Sequence, residues 1–472
     1  MKVSDNIFRG YDIRGLADTE LSDENVVTIS RGYATYLISR RIYDTILGRD
    51  CRLSGPRIHK IVVKELIESG ITVYDIGMTI TQMAYWASYY FRSKGLIMIT
   101  ASHNPKEYNG FKLGTGFSET MVTEEIIAFR DLVQKGEFKS LDKKGEYIEK
   151  DVFKEYMIDL FRRVPTSTIG KFKVVVDSLS GSTGPFLPEI LRMAGCEVIE
   201  KNTTPDGNFP TGTPDPTESE HLERLARDVV KEGADLGFSY DTDGDRVGIV
   251  DNKGNLLWND ILVSIFARDV LEFMPGSSIV FNTLCSKQVS EIIELDGGKP
   301  VIWMTGHSFI KAKVREIGAP FGGELSGHFF FMDNFYGHDD GAIASLRVLA
   351  YLTRRGKSLS EVVNELPKYI SSPEIKLGLA DDVKFQLINN EIKRDIENLY
   401  PDGEYITIDG VRMDTRDRML IIRASQNGPY ITIKFEAKQQ ADYNEMKTQI
   451  EAMLKKYDQI KFDEGVNIHA FK

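Results

Sequence analysis

The sequence predicts an α/β protein built from several domains. The chain has 472 residues, more than one compact core usually serves. Short β-branched runs alternate with amphipathic stretches along most of it, the pattern of strand-then-helix units with parallel or mixed sheets. Polar, Gly-containing loops follow several of those runs, where open α/β sheets place ligands.

The runs are specific. Leu96-Ile97-Met98-Ile99, Lys173 to Asp177, Ser278 to Phe281 and Pro300 to Met304 read as strands, while Asp260 to Phe273 and Ala342 to Arg354 have helical spacing. Breaks are faint. Lys139 to Lys150 is charged, Asp251 to Asn255 is turn-like, and Leu366 to Pro373 carries two prolines that cannot sit inside a helix or central strand. These give segments 1–150, 151–254, 255–367 and 368–472.

Composition narrows the function. Hydrophobic residues make up 42%, enough for packed cores. A net charge of -11, from 59 basic and 70 acidic residues, disfavours nucleic-acid binding, which rests on neutralising phosphates. It leaves room for a small phosphorylated ligand, which needs only a few local cations. Cys51, Cys196 and Cys285 form no Cys-x-x-Cys pair, so neither a disulfide framework nor a zinc site is expected. The N-terminus turns polar by Ser4, and no apolar run has membrane-spanning length. The expectation is a cytoplasmic protein, a monomer or weak homo-oligomer, without a membrane partner.

Asp241-Thr242-Asp243-Gly244-Asp245-Arg246 sets three carboxylates on alternate residues after an apolar run. Alternate side chains of an extended backbone point the same way, and three converging anions repel unless a cation sits among them. Hard oxygen ligands suit Mg²⁺. A solvated acidic turn is the plain alternative. An EF-hand is excluded, because its sixth and twelfth positions would be Arg246 and Asn252.

Thr100-Ala101-Ser102-His103-Asn104-Pro105 also follows an apolar run. Ser102 is either a reactive hydroxyl at a strand end or part of a capped turn before Pro105. Adjacent Ser and His seldom face one another, so no triad is implied. Lys112, shortly after, offers charge or acid–base chemistry. Gly322 to His328 brings Glu324, Ser326 and His328 together, either to take sugar hydroxyls or as a Gly-rich turn. Arg423-Ala424-Ser425-Gln426-Asn427-Gly428-Pro429 reads both as an anion nest and as a hairpin turn. Phe8 to Gly15, holding Tyr11 and Arg14, is by itself a tight charged loop.

In this order, with Gly306-His307-Ser308 between the acidic and Glu324 loops, the motifs resemble the α-D-phosphohexomutase family, phosphomannomutase/phosphoglucomutase branch, over essentially the whole chain. The resemblance implies four domains around a central cleft: three related α/β domains with mixed sheets and a smaller, mobile α+β domain at the C-terminus. It implies a phosphorylated Ser102, with Asp241, Asp243 and Asp245 holding Mg²⁺ beside its phosphate. Arg14, His103, Lys112, Arg246 and His307 would surround the reacting phosphate. Tyr11, Lys287, Gly306, Glu324, Ser326 and His328 would line the cleft toward the sugar. Arg423, Ser425, Gln426 and Asn427 would hold the other phosphate. Hexose 1-phosphate and hexose 6-phosphate, of mannose or glucose, would interconvert through a hexose 1,6-bisphosphate that also serves as activator.

Two departures stand out: Gln426-Asn427 where the branch usually shows Asn-Thr, and Leu325 where Met is common. A glucosamine phosphate mutase, an aspartate-nucleophile phosphatase and a non-catalytic sugar-phosphate sensor are the alternatives.

Overall fold

The computed structural model describes residues 3–426 and 428–471. Four sheets follow one another along the chain. In the first, Asp44–Arg49, Thr72–Met78, Leu96–Ile99 and Tyr147–Glu149 run parallel, and Tyr108–Gly116 and Ile13–Leu16 complete it antiparallel. Pleating sorts its side chains. Leu47, Ile97 and Ile99 face a core shared with the helices Asp23–Ser39 and Gly55–Glu68, whereas Ile46 and Met98 join a second core that continues into the next two domains.

The second sheet pairs Leu236–Tyr240, Lys173–Asp177 and Glu197–Lys201 in parallel, and the third does the same with Lys299–Trp303, Ser278–Asn282 and Phe321–Gly323. Pro300 is tolerated because its strand lies at the edge of the third sheet. The first three sheets share one unit. A buried strand enters a polar loop and the chain returns antiparallel: Leu96–Ile99 to Tyr108–Gly116, Leu236–Tyr240 to Val247–Asp251, and Phe321–Gly323 to Phe329–Phe331. These three turns are the serine, acidic and Glu324 loops.

The fourth sheet is antiparallel throughout and packs its own core against the helix Gln440–Leu454. The expected breaks are more ordered than composition suggested. Asp251 to Asn255 is a hairpin turn, because Leu256–Leu257 pairs back on Val247–Asp251. Leu366 to Pro373 contains the short strand Ile370–Ser371, which leaves both prolines outside it. Among the described residues, no helix is long and apolar enough to cross a membrane.

One buried ion pair braces the serine loop. Arg52 and Asp50 have fully buried side chains and meet at 3.1 Å. The Arg52 guanidinium donates to the carbonyls of Ser102 and Asn104 at 2.7 Å each, of Pro105 at 2.8 Å and of Tyr108 at 3.1 Å. Replacing Arg52 with Met strands the Asp50 carboxylate and frees four carbonyls. We expect a loss of ~3 kcal/mol or more in urea unfolding, with faster amide exchange across residues 100–108.

Candidate active site

Ser102 occupies a left-handed backbone conformation, φ 49°, which is costly for a residue with a Cβ. The turn is held locally: the Ser102 N–H donates to Thr100 Oγ1 at 2.8 Å, and Thr100 donates to Asp50 Oδ2 at 2.7 Å. One consequence corrects the sequence reading. The twist turns Ser102 and His103 toward each other, with Oγ 3.2 Å from His103 Nδ1. Burial, then the charges of Arg246 and Arg14, hold His103 well below its usual pKa, so it is neutral.

Ser102 Oγ donates to Asp241 Oδ2 at 2.7 Å, across 139 positions of sequence. The three alternate aspartates converge, with one oxygen from each of Asp241, Asp243 and Asp245 inside a 4.8 Å group, all of them buried. Gly244 makes the bend at φ 78°, where an added Cβ would lie 2.7 Å from Thr183. Lys112 reaches in from the first sheet to Asp243 Oδ2 at 2.9 Å and to Asp245. Thr81 Oγ1 donates to Asp243 at 2.6 Å. Burial and the adjacent Asp243 and Asp245 charges raise Asp241 well above the usual carboxylate range. Burial would raise Asp243 too, but Lys112 and Thr81 hold it below that range. Oδ1 of Asp243 and Oδ1 of Asp245 are buried without a hydrogen-bond partner. Two orphaned hard oxygens beside a third carboxylate suit a divalent cation.

Beside this cluster, reached through His103 and Arg246, lies a cavity of about 570 Å³, within the range of small-molecule sites. All four domains line it: Tyr11 and His103 from the first, Asp215 and Arg246 from the second, His307, Glu324, Ser326 and His328 from the third, Arg423, Ser425 and Gln426 from the fourth. Arg14 braces the serine loop through Ala101 O at 3.2 Å and Asn104 Oδ1 at 2.8 Å. Arg246 Nε donates to His328 Nε2 at 3.0 Å. His307 stacks on His328, and burial lowers its pKa to about 3. The Gly306 N–H donates to Glu324 Oε1 at 2.7 Å, joining two of the predicted motifs.

In the fourth domain, Arg423 Nε donates to Asp409 at 2.8 Å, and Asp409 also accepts from the Thr305 N–H at 2.9 Å. The Ser425 N–H donates to Tyr430 O at 3.0 Å, so the hairpin reading holds while Arg423, Ser425 and Gln426 still face the cavity. Asn427 lies outside the described residues. An added Cβ at Gly10 would lie 3.9 Å from Gln426 Cβ, so the first and fourth domains approach across the cleft.

Lys287 opens the helix Lys287–Leu295, and its N–H donates to Glu436 at 2.7 Å. Sequence reasoning missed several residues. Asp339 meets His328 Nδ1 at 2.8 Å and His307 Nδ1 at 3.4 Å. Asn282 Oδ1 accepts from the Leu325 N–H at 3.1 Å. Lys384 donates to Gly428 O at 2.8 Å and to Ser425 O, shaping the last loop from beneath. The Asp339-Asp340 pair before the helix Gly341–Arg355 was a usable signal; Asn282 and Lys384 carried none.

Family models described as phosphoglucomutase/phosphomannomutase α/β/α domains I, II and III match residues 5–140, 152–254 and 258–369. A phosphomannomutase/phosphoglucomutase of Pseudomonas syringae is 37% identical over 456 residues, covering 96% of both chains. The chain belongs to the phosphoglucomutase/phosphomannomutase family. It is therefore a hexose-phosphate mutase, an enzyme that moves a phosphoryl group within a sugar phosphate. A phosphoglucomutase of Neisseria meningitidis is 34% identical over 96% of this chain and 97% of its own. A solved phosphoglucomutase/phosphomannomutase family protein of Burkholderia thailandensis superposes with a TM-score of 0.86 at 32% identity, covering 96% of this chain and 98% of that one. The likeness to this mutase family spans the three mixed sheets and the fourth, antiparallel one.

Replacing Lys112 with Met leaves the carboxylate cluster without its buried ammonium. We expect a loss of about 3–5 kcal/mol without divalent ions. Added Mg²⁺ should raise the thermal midpoint of this variant more than that of the unaltered protein, in a melt with and without chelator.

Proposed function

We propose that Ser102 is the phosphoryl carrier of this mutase. The observation that carries the reading is the Ser102 hydroxyl bound at 2.7 Å to Asp241 in a buried acidic cluster, whose chain neighbours His103 and Arg246 line a sugar-sized cavity. Phospho-Ser102 gives its phosphoryl group to the free hydroxyl of a hexose monophosphate. The Oγ–P bond breaks, a P–O bond to the sugar forms, and the proton lost by the sugar hydroxyl is balanced by one gained at Ser102 Oγ, which leaves the step as a neutral hydroxyl. The resulting hexose 1,6-bisphosphate turns over in the cleft, and the reverse transfer from its other end restores phospho-Ser102.

Asp241, Asp243, Asp245 and the serine-borne phosphate would hold a divalent ion, Mg²⁺ in our reading, which supplies positive charge against the transferring group. Arg14, Lys112 and Arg246 contribute further charge, since phosphoryl transfer depends on positioning and neutralisation. Neutral His103 stands 3.2 Å from Ser102 Oγ, placed to take or return the serine proton. Glu324 and Ser326, with His328, Tyr11, Gly306 and His307 nearby, meet the sugar. Arg423, Ser425 and Gln426, together with Asn427, hold the phosphate that is not reacting.

The names of the relatives, phosphomannomutase/phosphoglucomutase and phosphoglucomutase, support glucose and mannose phosphates over amino sugars. We take the domains as 1–150, 151–254, 255–367 and 368–472. Three free cysteines and the net negative charge support a cytoplasmic enzyme, acting without nucleic acid as a monomer or weak oligomer.

Peptide mass spectrometry of the purified enzyme is expected to find one phosphoryl group on Ser102; finding it on Asp241 would overturn the carrier role in favour of an aspartyl phosphatase. Ser102→Ala should keep the fold by circular dichroism and lose at least ~10³-fold in turnover of glucose 1-phosphate and mannose 1-phosphate, with activator present.

A further inference from the structure

The fourth domain lays a second cation beside the proposed phosphate loop. In its sheet, Thr432 is paired directly with Arg423 on one side and with Lys376 on the other. Directly opposed residues of antiparallel strands share a face. Arg423, Thr432 and Lys376 thus form one row across three strands, and all three line the cavity. At a strand spacing near 4.8 Å, the two cations flank Thr432 with backbones about 10 Å apart. Two long basic side chains at that spacing can close on one phosphate, with a hydroxyl beneath it.

Lys376 is also the basic side chain on this wall with a loosely held charge. Lys434 is bound to Asp260 at 2.7 Å and to Leu284 O at 3.1 Å. Lys384 is spent on the carbonyls of Ser425 and Gly428. Lys376 meets Glu374 at 3.5 Å, with both side chains about a third exposed, and its ammonium lies 5.5 Å from the Tyr430 ring centre. Across the cleft, Asp215 and Glu218 of the second domain line the same cavity and face this charge. Glu374 and Asp215 keep Lys376 protonated, so it presents a positive charge to the cavity that an entering dianion can take up in competition with Glu374.

We propose that Lys376 is a substrate-binding residue, the second cation of the clamp for the phosphate that is not reacting, exchanging Glu374 for that phosphate when a sugar phosphate enters. The inference rests on the reading of the Arg423 loop as the phosphate clamp. It assigns affinity, not chemistry, to Lys376.

The test is steady-state kinetics of the phosphorylated holoenzyme with Mg²⁺ and the bisphosphate activator, using glucose 1-phosphate as substrate and inorganic phosphate as competitor. Lys376→Gln should raise KM about tenfold, the worth of one charge-assisted contact, and raise Ki for phosphate similarly, with kcat within twofold. Lys376→Arg should restore most of the affinity. Glu374→Gln should leave KM equal or lower, because it removes the competitor for the ammonium; a purely structural ion pair would make Glu374→Gln and Lys376→Gln alike. Arg423→Gln is the control for the loop itself. If Arg423→Gln weakens binding and Lys376→Gln does not, the inference is overturned and the clamp reading stands. If neither does, the clamp reading falls with it. A fall in kcat at unchanged KM for Lys376→Gln also overturns the inference.

Discussion

Three carboxylates buried at the meeting of two domains are the constraint on which the rest depends. Asp241, Asp243 and Asp245 are at most 1% exposed. Charges that close, out of water, repel by several kcal/mol unless compensated. The second domain does not supply all the compensation. Lys112 and the Thr81 hydroxyl come from the first, as does the Ser102 hydroxyl, and the Thr81 N–H binds the Asp243 carbonyl at 2.8 Å. The same contacts that make the acid cluster tolerable also fix the serine against it, so electrostatic necessity and the placement of Ser102 are one arrangement.

The remaining geometry follows from a repeated unit. Each of the first three domains ends a buried strand in a polar loop and returns antiparallel, and the three loops converge on one cavity. The fourth domain joins by different means. Arg412 donates to Thr283 O at 2.8 Å and Cys285 O at 2.6 Å, Lys434 pairs with Asp260, and Asp409 ties Arg423 to the Thr305 backbone. These joining contacts are polar, and Met419 and Ile421 add an apolar contact with the core of the other three domains.

Much of this was legible in the sequence where the signal is contiguous. The acidic loop, the serine loop and the Glu324 loop each follow a recognisable strand, and alternate spacing was enough to foresee that three aspartates would converge. Helix positions such as Asn259–Phe273 and Gly341–Arg355 followed from spacing alone. What failed depends on contacts between distant segments or on single torsions. Arg52 and Asp50 look like ordinary loop charges until four carbonyls of the serine loop close on them. The facing of Ser102 and His103 hangs on one positive φ. Lys376 acquires meaning only through strand register.

The cavity has walls from all four domains, and no single domain encloses it. A ligand touching every wall therefore binds only when all four are folded and docked. By mass action its binding energy is shared among them. A filled cleft should thus tie the fourth domain, which packs a core of its own, more firmly to the core that the first three share, and make the whole melt as a single cooperative unit, so the substrate acts as the mortar of the enzyme's architecture as well as its cargo.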